Sequence, residues 1–431
     1  MKYKIFLSLF FLFQATYSYA QIIASYTLKA DSVCSSEDGL MVISGREIPQ
    51  LSGSNREKIS LLNVLHNKKQ SIVFQIDKKD TQGRYILNNN TSGISDTSKI
   101  MGDQDELVFR KKDLGEHLSP SSELLKQHSL IEIEVIYGQG RHGGAAHKKV
   151  SGWIYIALND ISPDFQKQNK PFVYDSEQDS VISSVYKIAF SKEKPFLLDE
   201  FHWRLPEQSP KLAQPTEWSS DMTDTMKIRH IGKFLGFPFK RTDDDYYSQL
   251  IDIKEGPLRI IRRTENKVKI FWKLKSPALY IDYVMMPDGF VMDSMIDIPF
   301  NISFFFSDLV TITTMDWDHA PDLPGLTIKS EASNLKLPVN GRLSDDKDTF
   351  NQIAATEFSL MSQLGQFDVK LDIPDDFPIY SQLYLRDALH EIDLPENYPG
   401  QFGNVGFKTT GWENIDSKLH HLKFTVCVDK I

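Results

Sequence analysis

From Ile131 to Tyr137 (IEIEVIY) apolar and acidic residues alternate, putting Ile131, Ile133 and Val135 on one face of an extended strand and Glu132 and Glu134 on the other. The same period of two recurs at 71–77, 105–109 and 151–158, in stretches rich in β-branched and aromatic residues and bounded by Gly, Asn or Asp. It continues through 180–190, 195–205, 257–274, 278–286 and 290–306, and 404–428 reads as two or three further strands. The glycine-rich connection 138–152 predicts a long-looped hairpin, and tight turns are expected at Thr264–Lys267 and at Pro287-Asp288-Gly289. One segment breaks the rule. Within 345–364, Phe350, Ile353, Phe358, Met361 and Leu364 fall near helical spacing behind Asp345 and Asp346 as N-caps, which predicts a helix packed on a sheet. The expected fold is mainly β, with antiparallel β-sandwich-type domains and one or two helices.

The first residues depart from this pattern. Lys2 and Lys4 precede an apolar run from Ile5 to Phe13 broken only by Ser8, and Ser18 and Ala20 supply small residues at a cleavage position. Residues 1–20 therefore read as a secretory signal peptide, and the mature chain, from Gln21, is expected to be periplasmic or secreted. That apolar run is too short to span a membrane, and no later segment is long enough. The chain has 431 residues, 41% of them hydrophobic and 25% charged, which is ordinary for globular proteins and too long for one small core. The polar stretch 159–180 divides an N-terminal β domain (21–160) from a larger sandwich-like domain (181–431), with the linker at 161–180.

Loss of Lys2 and Lys4 takes the formal charge from -9 to -11, which argues against nucleic acid and, on the average charge, against anionic lipid. The two cysteines, Cys34 and Cys427, fit either one bridge between distant segments or two separate buried thiols.

The stretch GDQDELVF (Gly102–Phe109) crowds three carboxylates together, and an upstream turn carries Asp77 and Asp80. Because the two turns bracket the loop 77–106, Asp77, Asp80, Asp103, Asp105 and Glu106 could meet around calcium, which takes about six to eight oxygens. Neither turn has the spaced D-x-D-x-D-G order, and carboxylates ahead of a strand also cap turns by accepting backbone N–H groups, the favoured reading. Arg259 and Arg263 share a strand face; they could clamp ligand carboxylates or sulfates, although pairing inside the protein is favoured. Arg229, His230, Tyr246 and Tyr247 are residue types that proton-abstracting sugar lyases use, provided they converge. The six tryptophans can stack on sugars or fill a core. Serine elbow, Walker loop and dinucleotide glycine patterns are absent from the sequence.

The run QID…GRY…DQDELVF…KDLGE, followed by GWIYIAL, EGPLRIIRR and PENYPGQFGNVGFKTTGWENI, resembles a group of exported bacterial β-rich proteins from about residue 40 to the C-terminus. The resemblance implies a sandwich-like fold and export, and brings no catalytic residues with it. The functional expectation is a non-catalytic binding module for extracellular or cell-envelope polysaccharide. A lyase-like polysaccharide-active enzyme and a structural or partner-binding envelope protein are the alternatives.

Overall fold

The computed structural model describes residues 22–29, 33–34, 36, 38–87, 98–118, 130–139, 148–158, 172–205, 217–317, 325–342, 344–390, 395 and 402–430. The N-terminal part contains β1 (Ile22–Lys29), β2 (Leu40–Ser44), β3 (Ile59–Leu65), β4 (Lys68–Ser71) and β5 (Phe74–Asp77). It continues with β6 (Glu106–Arg110), β7 (Leu130–Gln139) and β8 (Lys148–Leu158). Two sheets form, ordered β1-β7-β8-β3-β4 and β2-β6-β5. Their inner faces share one core, in which Ile131, Ile133 and Val135 of β7 meet Ile43, Leu107 and Phe109, as the alternation along β7 requires. The β7–β8 hairpin is antiparallel, whereas β1 joins β7 in parallel.

Next come β9 (Phe172–Asp175), β10 (Ser180–Ser183), β11 (Tyr186–Phe190) and β12 (Leu198–Trp203), which form a four-stranded meander. The strands β13 (Met226–Phe234), β14 (Phe237–Arg241), β15 (Tyr246–Glu255), β16 (Ile260–Phe271) and β17 (Leu274–Lys275) follow. After them lie β18 (Leu279–Met286), β19 (Gly289–Asp297), β20 (Phe306–Asp316), β21 (Thr327–Lys329) and β22 (Lys336–Pro338). A single helical turn, α1 (Lys347–Phe350), precedes β23 (Glu357–Met361), β24 (Gly365–Asp372), β25 (Tyr380–Arg386), β26 (Asn404–Thr410) and β27 (Leu419–Lys430). A five-stranded sheet, β14-β13-β20-β26-β25, faces a ten-stranded one, β15-β16-β18-β19-β27-β24-β23-β21-β22, with β17 paired to β16. A second large core draws on residues 172 to 428 and includes the fully buried Trp203 and Trp317.

The mainly-β expectation holds, with two local corrections. The turn expected at Thr264–Lys267 is the interior of β16. Asn266 is fully buried and its amide nitrogen donates to Thr264 Oγ1 (2.9 Å) and Leu279 O (3.3 Å), so the donor side of a turn-forming residue is satisfied inside a sheet while its Oδ1 has no partner. The helix expected over 345–364 shrinks to α1, because Phe358 and Leu360 are buried and alternate with Ser359 in β23. The turn at 287–289 does join β18 to β19. Of the proposed linker (161–180), 161–171 lies outside the described residues, 172–175 forms β9 and Ser180 begins β10.

Cys34 and Cys427 form a disulfide, with their Cα atoms 5.5 Å apart. Around it Leu40 and Val108 of the first sandwich pack on Leu258 and Met286 of the second. Gly289 has to be glycine here, since a Cβ would lie 2.1 Å from Val426 O and 3.0 Å from Cys34 Sγ. Next to it, Asp288 is buried, accepts a hydrogen bond from the Ser36 hydroxyl and has a second carboxyl oxygen, Oδ1, without a partner. Burial, aided by the nearby Asp429 and Asp38 charges, pushes its pKa up to about 6. A raised folded-state pKa means the group's stabilisation is complete below about pH 4 and is lost as pH rises through 6. Asp288→Asn should therefore raise stability at pH 7.5 by about 2–3 kcal/mol and change little at pH 4. Thermal melts across pH 4–8 check this; an unchanged pH slope in the variant would rule it out.

Candidate ligand-binding cleft

Where β5 and β6 of the first sandwich meet β16 of the second, polar side chains form a buried node. Arg259 donates from Nε to Asp77 Oδ2 at 2.6 Å and from Nη2 to Glu106. Lys254 reaches Asp77 at 2.9 Å, Lys79 pairs with Glu106, and Tyr85 donates to Glu106 at 2.9 Å. Gln75 completes the joint: its Oε1 accepts the backbone N–H groups of Leu258 and Arg259, each at 3.0 Å. Burial alone raises the pKa of Asp77 and of Glu106. The positive charges outweigh it, Arg259 and Lys254 at Asp77 and Arg259 and Lys79 at Glu106, and hold both carboxyls at about 2.

From this node a cleft of about 380 Å³ runs over the outer face of the ten-stranded sheet. It exists because β24 reads Gly365-Gln-Phe-Asp-Val-Lys-Leu-Asp372, whose period of two sends Phe367, Val369 and Leu371 inward and Asp368, Lys370 and Asp372 outward. Register aligns these with neighbours of like polarity: Glu357 lies opposite Lys370, Ser359 opposite Asp368, and Lys423 opposite both Asp372 and Asp293. Six carboxylates line the cleft (Glu106, Asp293, Glu331, Glu357, Asp368 and Asp372) against three cations, Arg259, Lys370 and Lys423. Val42, Val284, Met286 and Val291 add an apolar strip near the disulfide.

The outward carboxylates are held in place. Ser359 Oγ and Gln366 Nε2 (2.7 Å) donate to Asp368, Lys370 sits 2.6 Å from Asp372, and His421 Nδ1 lies 3.0 Å from Asp293 Oδ1. Asp368 takes both of its donors on Oδ1, which keeps lone pairs on the other oxygen to accept ligand hydroxyls, whereas Asp293 and Asp372 are contacted on both oxygens. The volume falls within the range of small-molecule sites.

The sequence singled out other residues. Of the acidic turn, Asp105 is buried and accepts from the Lys79 and Gly102 backbone N–H groups at 3.0 and 2.8 Å. Asp80 accepts from the backbone of Gln82 and Arg84 and from Arg84 Nε, and Asp103 is exposed. The lone pairs of Asp77, Asp80, Asp105 and Glu106 thus face guanidinium, ammonium, amide and N–H donors, the arrangement of turn caps and ion pairs. Among the described residues no group of three or more His, Cys, Asp or Glu is placed to hold a metal. Arg263 makes a two-point contact with Asp282, at 2.7 and 2.6 Å, so both Arg259 and Arg263 are paired inside the protein.

The lyase-type residues meet only in part. His230 and Tyr246 join at 2.7 Å, and burial lowers the histidine to about 4, leaving it neutral at physiological pH. Arg229, one residue along β13, faces the opposite side and donates to Thr314, while Tyr247 is exposed beneath Lys275 Nζ. Sequence reasoning passed over Asp368, Lys370, Asp372 and Lys423 altogether. The alternation in 365–372 was the available signal, and a polar strand face reads by default as solvent-facing.

No protein-family model matches the chain, and no curated protein matches it. Among solved structures, the chain is similar to an alpha-mannosidase from Enterococcus faecalis V583, at 8% identity and a TM-score of 0.41, over 93% of this chain and 42% of that one. The chain therefore spans about two fifths of that enzyme's length, and likeness at this level transfers no residue role.

Proposed function

We propose that the protein is an exported, non-catalytic glycan-binding protein whose ligand lies in the cleft between the two sandwiches. The observation that carries this reading is the excess of carboxylates over cations lining a cleft that also has an apolar strip. Carboxylates accept hydroxyl hydrogen bonds, and the apolar strip receives the C–H face of a sugar ring. The same excess repels uronates and sulfates, so the ligand is a neutral or amino-sugar polysaccharide. Within this reading Glu106, held at about 2 by Arg259 and Lys79, stays ionised and supplies no general acid. The carboxyls pushed up to about 6, Asp288 and Asp387, do not line the cleft.

Melting the protein against neutral, amino-sugar, uronate and sulfated oligosaccharides tests the reading. A ligand at about a hundred times its dissociation constant adds roughly 2.7 kcal/mol. Stabilisation is expected from the first two classes. The double substitution Asp368→Asn/Asp372→Asn should weaken that binding by about tenfold or more, the loss expected from hydrogen bonds to charged groups, with the free protein's melting little changed. Binding confined to anionic glycans, or affinity undiminished in the double variant, would sink the proposal.

A further inference from the structure

One end of the second sandwich carries large apolar side chains that neither core uses. Three connections meet there: the β13–β14 turn, the β16–β17 turn and residues 298–305, which lead from β19 into β20. Their common location follows from strand direction. At the start of β13, Met226 Sδ lies 3.9 Å from the hydroxyl of Tyr283, a residue paired with Arg262 of β16. Four residues on, His230 meets Tyr246, which is paired with Val268 of β16. The two strands therefore advance together toward the same end, and β20 begins there because Phe306 pairs with Phe234. Contacts fasten the three segments together. Leu235 N donates to Phe305 O at 2.7 Å, the Phe306 ring lies 5.1 Å from Phe234 and from Phe239, and Arg241 Nε donates to Lys269 O at 2.6 Å.

Beyond these ties the side chains stand in water. Phe237, Trp272 and Phe304 are 74%, 79% and 77% exposed, and Leu235, Phe271 and Leu274 are each more than half exposed. Leu235 and Trp272 also hold φ of +50° and +46°, the left-handed region that glycine or asparagine occupies at less cost. Folding stability gives no reason to place a bulky apolar residue, strained and wet, at the apex of two separate turns.

Charge supplies the second, independent observation. The segments 233–241, 267–275 and 297–308 contain seven Lys or Arg and two Asp, in a chain whose net charge is -9. Just outside them Glu265 pairs with Lys267 and Asp245 lies 3.9 Å from Arg241, which leaves the lysines at the turn apices as the basic part. Lys233, Lys240, Lys273 and Lys275 are exposed; Lys233 pairs with Asp308, and Lys275 lies over the Tyr247 ring. The chain average, which argues against anionic lipid, hides this basic end. Aromatic rings at turn apices with lysines around them match the boundary of an anionic bilayer, where rings enter the headgroup zone and ammonium groups meet phosphates. The acidic remainder of the molecule is repelled from the same surface, which fixes the orientation.

We propose that this end docks on an anionic phospholipid bilayer through Phe237, Trp272 and Phe304, with the surrounding lysines on the lipid phosphates. The test is co-sedimentation of the full chain with vesicles of phosphatidylcholine containing one quarter phosphatidylglycerol, alongside vesicles of phosphatidylcholine alone. Binding to the anionic vesicles is expected, about tenfold or more weaker on neutral ones and at about 1 M salt, where screening shortens to about 3 Å. Bromine-labelled acyl chains should quench tryptophan emission in the wild type and lose most of that effect in Trp272→Ser. The triple substitution Phe237→Ser/Trp272→Ser/Phe304→Ser should abolish binding, and Lys240→Glu/Lys273→Glu/Lys275→Glu should remove the preference for anionic lipid, both with unchanged melting. Failure to bind anionic vesicles, or binding indifferent to both sets of substitutions, overturns the proposal. So does self-association that the triple variant abolishes while vesicles stay unbound, which assigns the surface to a second copy.

Discussion

Replacing Arg259 with alanine should cost about 3–5 kcal/mol of stability at neutral pH, as breaking a buried ion pair on one side does. Arg259 is 3% exposed and is the cation shared by Asp77 and Glu106, so its loss leaves two ionised carboxylates in a joint that Lys254 and Lys79 cover incompletely. The effect has a pH signature. Both carboxyls titrate at about 2 in the folded protein, below their ordinary values of 3.8 and 4.5. A depressed folded-state pKa means that their stabilisation is present above about pH 4.5 and is lost as pH falls toward 2, about 2–3 kcal/mol for each group. The difference between wild type and Arg259→Ala should therefore shrink in acid. Asp77→Asn/Glu106→Gln/Arg259→Met should recover part of the loss, since no buried carboxylate is then left without Arg259, and the two remaining cations, Lys254 and Lys79, are long side chains that can turn toward water. Urea denaturation at pH 7 and pH 3 measures all three proteins; a cost below about 1 kcal/mol, or one that does not change with pH, refutes the assignment.

Removing the disulfide should be comparably severe. It closes a loop with a sequence separation of 393 residues, for which the chain-entropy relation gives about 6 kcal/mol as an upper figure, against the 2–5 kcal/mol typical of lost native bridges. Cys34→Ala/Cys427→Ala is the suitable pair, because Cys34 is fully buried and serine would bury an unpaired hydroxyl. The double variant should match reduced wild type and be indifferent to reductant. Identical melting of wild type with and without reductant would be decisive against it.

Period-two patterning was enough to locate most strands, because a half-buried strand writes its burial directly into the sequence, as Ile131 and Glu132 do. The reading failed where local chemistry pointed one way and tertiary contacts another. Asn266 looks like a turn former until Thr264 Oγ1 and Leu279 O take up the N–H groups of its amide within a sheet. Phe350, Phe358 and Met361 mimic helical spacing because a one-turn helix is followed closely by a strand. The acidic turn was read correctly as capping at Asp105, whose partners are backbone groups close in sequence. Arg259 and Glu106, by contrast, are separated by 153 positions, and which acid meets which base over that distance is set by sheet topology. The cleft was hidden for the same reason, since Asp368, Asp293 and Glu106 lie on three strands that only the fold brings together.

The position of β27 within the ten-stranded sheet governs how that sheet can assemble. Its neighbours are β19 and β24, so the strand that comes last in sequence sits in the interior of the sheet rather than at an edge. As the chain is made from its N-terminus, two groups of strands, β15–β19 and β21–β24, are available before Leu419–Lys430, which joins them. Each exposes one long unpaired edge, and each edge is complementary to the same missing strand. Such edges pair readily with other chains, so a nascent or truncated form is aggregation-prone in a way the finished molecule is not. Closure pairs strands far apart in sequence, Gly289–Asp297 with Leu419–Lys430, and pairing of that kind is the slow sort.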